Sequence, residues 1–428
     1  MTQHVSRPGR IALVGIGPGD PAHMTARARA AIAEAEVVIG YKTYLKLIPE
    51  LLEDKQVIGM GMSEELERVE MAWEHARSGR RVALVSSGDA GVYGMAGPTY
   101  EWLLDQGWEP GEGAVGVEVV PGATALSSCS ALVGAPLTHD FCAISLSDLL
   151  TPWPVIARRL EAAGRGDFVV VLYNPASKRR RAQLREAQRI LLRYRAPETP
   201  VAVVRAAFRE RQQVQQQTLG TLDEAELSML STVIIGSSAT DRRAGVMVTP
   251  RGYTAKYGTD GGGPAAGEQR GRSLRLGLAG WPAELRHWLR EQPGSSLAAA
   301  AQAFDVAWGE ALAAVISTEV EPGTPFQSTP VAAAQIPEVL DACRAWPRLR
   351  AVVVGAGGCA AVEAGGESLE AGDQVLALRA AGAVVEVERH RLAEVWYLER
   401  ADGTTSLELL DKHRRSLLSL EPFATGDH

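Results

Sequence analysis

Residues 121–148 read PGATALSSCSALVGAPLTHDFCAISLSD and follow a valine-rich strand at 117–120. A Pro-Gly turn leaves that strand and opens a helix of Ala, Ser, Thr and other small residues. Small side chains at such a start let the backbone approach a ligand closely, and the first free N–H groups face that ligand. The apolar run from Phe141 to Leu146 then ends in Ser147-Asp148. A strand delivering its chain into a helix start is one step of an α/β alternation.

The alternation continues outward in both directions. Apolar runs at 11–14, 37–39, 82–86, 117–120, 168–173, 201–205 and 232–235 read as strands, and 25–35, 63–77 and 178–195 read as helices. This pattern predicts an α/β protein with largely parallel sheets. Residues 151–165 fit a helix between two halves of that region. Residues 257–271 read YGTDGGGPAAGEQRG, a Gly-rich, apolar-poor linker. Beyond it, 274–278, 351–354 and 383–387 read as strands, and 297–316 and 406–420 as helices. The expected organisation is two α/β domains at 10–122 and 123–250, a linker at 251–272, and an accessory α/β-type domain at 273–428.

At 428 residues the chain is too long for one ordinary domain. Its 46% hydrophobic and 22% charged residues are ordinary for a soluble globular protein. No run approaches the roughly 18–20 apolar residues that cross a bilayer, and residues 1–10 lack the apolar segment of a secretion signal. The expectation is a cytoplasmic protein with no membrane partner. Residues 271–428 hold 14 Lys+Arg against 21 Asp+Glu, whereas 1–270 hold 30 of each. A neutral first part and an acidic end offer no nucleic-acid surface. Cys129, Cys142, Cys343 and Cys359 show no CxxC spacing, so buried thiols are expected rather than a disulfide framework or a metal site.

Four further segments flank the opening stretch. Residues 14–25, VGIGPGDPAHMT, place Gly15, Gly17 and Gly19 in an open loop after the first strand. Asp20 stands where a dinucleotide fingerprint needs its last glycine, and Pro18 stiffens the loop. A Rossmann site is disfavoured, leaving a structural turn or a ligand loop of another kind. Residues 82–97, VALVSSGDAGVYGMAG, offer Asp89 as acceptor for a ribose or amino group, with backbone exposed at Gly88 and Gly91. Alone, this is also a helix cap and turn. FVVVLYNPASKRR at 168–180 is a strand with an Asn-Pro turn. VAVVRAAFRERQQ at 201–213 and STVIIGSSAT at 231–240 complete the set.

Together and in this order, GIGPGD, GDAGVYGMA, PGATA, APLTHDF with ISLSD, LYNP and VIIGSSAT resemble the tetrapyrrole (corrin/porphyrin) methylase family. Within it the likeness, over about residues 10–250, is to the precorrin-3B and cobalt-precorrin-3 C(17)-methyltransferases. The resemblance implies a two-domain methylase fold that binds S-adenosylmethionine in a cleft between the domains and works as a homodimer. It implies cofactor contacts at Pro18, Gly88, Asp89, Ala90, Tyr93, Thr124, Ala125, Tyr173, Asn174 and Ala207. At the position of Ala207 many relatives carry Gly.

The implied reaction methylates precorrin-3B or its cobalt counterpart at C17, with ring contraction, in corrin synthesis. A sulfonium methyl is already electrophilic, so rate comes from aligning it about 3–3.5 Å from the substrate carbon. Contraction also requires a hydroxyl proton to leave, which calls for a general base. His139, Ser147 and Asp148 are the candidates, and Asp140, Ser147 and Asp148 are candidates for substrate hydrogen bonds. The blander reading makes Asp148 the cap of a helix starting near Leu149 and Ser147 a strand end. His139 titrates in the right range. Lys178, Arg179, Arg180 and Arg181, continued by Arg185, Arg189, Arg193 and Arg195, suit the carboxylate arms of a tetrapyrrole or form a solvated helix face.

Two alternatives stay open: another precorrin C-methyltransferase, or a non-catalytic tetrapyrrole- or S-adenosylmethionine-binding protein with an acidic interaction module. In the extension, VVVGAGGCAAV at 352–362 lacks the full G-x-G-x-x-G spacing and reads as a plain turn. Some long relatives carry an iron–sulfur extension, but Cys343 and Cys359 alone fall short of the usual four thiolates.

Overall fold

The structure, a computed structural model, describes residues 9–176, 182–225, 227–257, 263–264, 268–270, 275–355, 358–380 and 382–423. Lys178, Arg179, Arg180, Arg181 and residues 258–262, 265–267 and 271–272 of the expected linker lie outside the described residues. The chain divides into two compact units, Met1–Gly252 and Tyr253–His428.

The first unit begins with β1 (Arg10–Gly15), α1 (Ala26–Glu34), β2 (Val37–Tyr41), α2 (Lys42–Leu45), β3 (Gln56–Met60), α3 (Glu65–Arg77), β4 (Arg81–Ser86), α4 (Ala96–Asp105) and β5 (Gly116–Val120). These strands form an all-parallel sheet in the order β3-β2-β4-β1-β5. Parallel strands are joined by crossovers that cover both faces, which is why IALV in β1 and VALV in β4 are apolar at every position rather than alternating. Ile32 of α1 and Leu45 of α2 pack with Val14 and Val85 on one face. Val69 and Ala72 of α3 pack with Leu13 and Leu84 on the other.

The chain continues through α5 (Ala125–Ala131), β6 (Gly134–Ala135), β7 (Phe141–Ser145), α6 (Trp153–Arg165), β8 (Val169–Tyr173), α7 (Ala182–Leu191), β9 (Pro200–Arg205), β10 (Gln213–Thr218), β11 (Ser231–Ile235), β12 (Asp241–Arg243) and β13 (Val246–Val248). The second sheet has the order β10-β9-β11-β8-β7. Here the expectation of parallel strands holds only for β7 with β8; β11 runs antiparallel to β8 and β9, and β10 antiparallel to β9. The reason is connection length: β9 reaches β10 through a short loop with no crossover helix, and short loops join antiparallel strands. Ile156 and Leu160 of α6 and Leu184 of α7 cover one face. Cys129 of α5 packs with Val171, Val204 and Ile234 on the other. The PGATA turn therefore carries the chain off the first sheet and onto the second.

The second unit contains α8 (Tyr253–Tyr257), α9 (Trp281–Glu291), α10 (Leu297–Ala303), α11 (Trp308–Ala314), β14 (Phe326–Pro330), α12 (Ile336–Ala342), β15 (Leu349–Gly355), β16 (Gly358–Ala364), β17 (Leu369–Ala371), β18 (Val375–Ala380), β19 (Ala383–Glu388), β20 (Glu394–Arg400), β21 (Thr405–Leu410) and β22 (Ser416–Pro422). Six strands form one sheet in the order β14-β20-β21-β22-β15-β16, and β17-β18-β19 form another. Three expectations change here. Residues 275–278 are bends and turns, not a strand. The expected helix at 297–316 is two helices, parted where Asp305 takes a φ of 51° that a helix cannot accommodate. The expected helix at 406–420 is the hairpin β21–β22. After Gly355 the chain returns as the antiparallel strand β16, so no helix N-terminus follows that glycine turn.

Candidate cofactor site

Strands β1, β4 and β5 run parallel and deliver their chains to one edge of the first sheet. Ile16 N–H donates to Ser86 O at 3.0 Å, and Gly17 and Gly88 exchange N–H···O bonds of 3.0 and 2.7 Å. A Cβ on Gly122 would lie 2.1 Å from Gly88 O and 2.6 Å from Gly15 O, so the PGATA turn must carry glycine there. Asp89 ties the same loops. Its Oδ1 accepts from Gly91 N at 2.7 Å and Val92 N at 3.1 Å, and its Oδ2 accepts from Gly122 N at 2.8 Å. The carboxylate expected to wait for a ribose or amino group is engaged in holding the backbone.

The second half of the unit supplies the facing wall. Tyr173, at the end of β8, bonds Thr124 Oγ1 at 2.6 Å and accepts from Leu126 N–H at 2.8 Å, satisfying a donor in the first turn of α5. Burial pushes the Tyr173 phenol upward, against the effect of those two bonds. Tyr93 donates to Ala143 O at 3.1 Å, and its ring centroid lies 4.9 Å from that of Tyr173. Arg209, after β9, donates from Nε to Pro18 O at 2.6 Å and from Nη2 to Ser87 Oγ at 2.9 Å. The His23 and Phe208 rings meet at 4.0 Å.

These contacts line an open cleft with an interior volume of about 160 Å³. Pro18, Gly88, Asp89, Tyr93, Thr124, Ala125, Tyr173, Asn174 and Ala207 all line it. Ala90 does not; it is fully buried in the core beneath the loop, with Val69 and Leu84. Tyr93, Asn174 and Ala206 on the wall and the adjoining Phe208 have φ between 51 and 55°, or 49° for Ala206. Left-handed backbone at non-glycine residues costs energy and gathers at ligand sites. Tyr44, Ser87, Cys129, Arg209 and Thr232 also line the cleft and had no sequence signal beyond their place beside strand ends. Burial pushes the Cys129 thiol up to about 11, which keeps it protonated rather than nucleophilic.

The candidates for proton transfer are separated. Strand β7 pairs with β8 so that Ser145 faces Tyr173 and Phe141 faces Val169. Ser145 Oγ accepts from Asn174 Nδ2 at 3.0 Å and from Ser147 N at 3.2 Å, which ties Ser147 to the cleft-lining Asn174 although neither Ser147 nor Asp148 lines the cleft. Asp148 Oδ2 accepts from Gln183 Nε2 at 2.8 Å. It caps no helix, because α6 begins at Trp153 with Pro152 before it. His139 and Asp140 sit at the other end of β7, roughly 13 Å away at about 3.3 Å per residue. There His139 Nδ1 accepts from Asp140 N at 2.8 Å, and both side chains are exposed. The structure does not bring these two to the cleft. In the basic run, Arg189 pairs with Glu186 and Arg193 with Glu161, while Arg195 is buried and donates to Gly236 O at 2.6 Å.

The model of the Tetrapyrrole (Corrin/Porphyrin) Methylases matches residues 10–223, the segment that holds both sheets up to β10. The chain belongs to this family. A cobalt-factor III methyltransferase of Priestia megaterium is 44% identical over 327 residues, 73% of this chain and 60% of that protein. The chain thus spans about 60% of that relative, and a match over 73% of it runs beyond Gly252. A probable cobalt-factor III C(17)-methyltransferase of Salmonella typhimurium is 48% identical over 244 residues, 57% of this chain and 99% of that protein. The crystal structure of the methyltransferase CobJ is 36% identical with a TM-score of 0.53, covering 56% of this chain and 100% of that one. In this tetrapyrrole methylase the fold and the cleft at the strand ends lie within the matched segment and its immediate continuation. Among the described residues, no group of three metal-binding side chains occurs, and no helix is long and apolar enough to cross a membrane.

Proposed function

We propose that this chain transfers a methyl group from S-adenosylmethionine to C17 of a precorrin-3B-type tetrapyrrole, with ring contraction, in corrin synthesis. The cobalt-bearing form is favoured, because the relatives at 44% and 48% identity are named for cobalt-factor III. The observation that carries the reading is the knot of Gly17, Gly88, Asp89 and Gly122 at the mouth of the cleft. It lies within residues 10–223, which the family model matches.

At Gly88 it is backbone that lines the cleft, and a Cβ there would already touch Thr124 Cα and Ala125 N at 3.7 Å, so the methyl donor would lie against main chain rather than a side chain. Bound there, S-adenosylmethionine supplies an electrophilic methyl group. The chain itself orients and excludes water. Asp89 fixes the loops, Tyr173 and Thr124 fix the start of α5, and Tyr93 closes against Ala143. Preset geometry of this kind is where alignment-controlled reactions gain rate. Asp148, held through Oδ2 by Gln183, takes the hydroxyl proton that leaves on contraction, and Ser147 hydrogen-bonds the substrate. A homodimer in the cytoplasm completes the reading; it rests on family resemblance, and light scattering tests the dimer.

The deciding experiment incubates the protein with cobalt-precorrin-3 or precorrin-3B and methyl-labelled S-adenosylmethionine. Label transfer with the spectral change of contraction supports the reading. Tight binding of S-adenosylhomocysteine without turnover of either tetrapyrrole would leave a binding protein instead.

A further inference from the structure

Among the residues lining the cleft, only Asp89 and Arg209 carry a formal charge. Asp89 spends its carboxylate on three backbone N–H groups. Arg209 is different. Its Nε and Nη2 meet two neutral acceptors, Pro18 O and Ser87 Oγ. Its Nη1 has no acceptor among the described residues and is not among the buried nitrogens left without a partner, so it is not fully buried. None of the ion pairs among the described residues includes Arg209, and the groups that act on its charge from nearby are Tyr44 and Cys129. Burial pushes the guanidinium below its usual range. The first loop is also shaped around it: a Cβ on Gly19 would stand 2.8 Å from Arg209 Nε.

A half-buried guanidinium held by neutral oxygens is short of an anion, and a planar donor fork matches a carboxylate. We propose that Arg209 receives the carboxylate at the amino-acid end of the methyl donor. This rests on the cofactor reading above and adds to it the group that recognises that end. One cation suits a ligand with one carboxylate. The many acid arms of a tetrapyrrole would need several, and among the described residues the cleft lining holds no second cation. The two hydrogen bonds to Pro18 and Ser87 aim the guanidinium so that little freedom is lost when the carboxylate arrives.

Calorimetric titration tests this with S-adenosylmethionine and its decarboxylated analogue on wild type, R209Q and R209K. Wild type is expected to prefer the carboxylated ligand by roughly 10- to 100-fold, the range of a charge-assisted hydrogen-bonded pair. R209Q should lose that preference while binding the decarboxylated ligand within about two-fold of wild type, and R209K should recover part of it. Equal weakening of both ligands would make Arg209 a strut for the loops and overturn the proposal. Unchanged binding of both, with a raised KM for the tetrapyrrole, would assign Arg209 to a substrate arm and overturn it too. If wild type binds neither ligand, the cofactor reading itself falls, and this one with it. A melting curve for each variant separates these results from misfolding, and R209K decides if R209Q does not fold.

Discussion

Gly122 and Tyr173 show how single residues hold the cleft. The chain at Gly15 and at Gly88 crowds Gly122, and a methyl group there would strike carbonyl oxygens that belong to backbone and cannot swing away. The G122A variant is expected to be destabilised by about 1–3 kcal/mol through overpacking, and to bind S-adenosylhomocysteine more weakly. G111A, where a Cβ would meet nothing within 4 Å, is the control and should melt like wild type. Removing one oxygen in Y173F leaves Leu126 N–H and Thr124 without their shared partner. That costs about 1–3 kcal/mol. Calorimetry should find S-adenosylhomocysteine affinity reduced roughly ten-fold; unchanged affinity would remove Tyr173 from the site. Most of these residues were legible from the glycine and PGATA segments. Arg209 was not, because an arginine after a strand carries no signal until the fold shows what it touches. Nor was the end of β7 at which His139 lies, since a strand's sequence does not say which end faces a ligand.

At the scale of elements, the hairpin β21–β22 misled for a physical reason. SLELLDKHRRSLLSL has leucines at helical spacing, yet it is two period-2 segments around a turn, with Leu407, Leu409, Leu418 and Leu420 all turned into one core. The turn is held by Asp411. Its Oδ1 accepts from His413 N at 2.8 Å and Arg415 N at 3.0 Å, and its Oδ2 from Arg415 Nε at 2.9 Å. Burial raises the carboxyl's pKa, but the hydrogen bonds from Arg415 and His413 outweigh it and bring it down to about 2. A folded pKa below the unfolded value of about 3.9 means stability that is fully present above pH 4 and is lost as pH falls toward 2. The gap in unfolding free energy between wild type and D411N should therefore stay constant down to about pH 4 and shrink between pH 4 and 2. A gap that stays constant across that window would show that the turn does not draw on the ionised carboxylate.

The whole molecule is two cores in one chain. The four clusters that fill the first unit draw every residue from positions up to Met247. The two clusters of the second unit draw theirs from Leu285 onward. The strand–helix rhythm of the first unit was legible because parallel strands buried on both faces give unbroken apolar runs. The second unit alternates, twists and turns tightly, and its antiparallel strands left a weaker trace. Among the described residues each core cluster stays within one unit, so ending the chain at Gly252 is expected to open no cavity in the first unit, and cavity formation is the main cost of losing packed residues. All the residues of the cleft remain in that piece. The fragment is expected to unfold in one cooperative transition by circular dichroism and to bind S-adenosylhomocysteine within about three-fold of the full chain, a difference under 1 kcal/mol. A fragment that folds but binds much more weakly would give the second unit a direct part in forming the site.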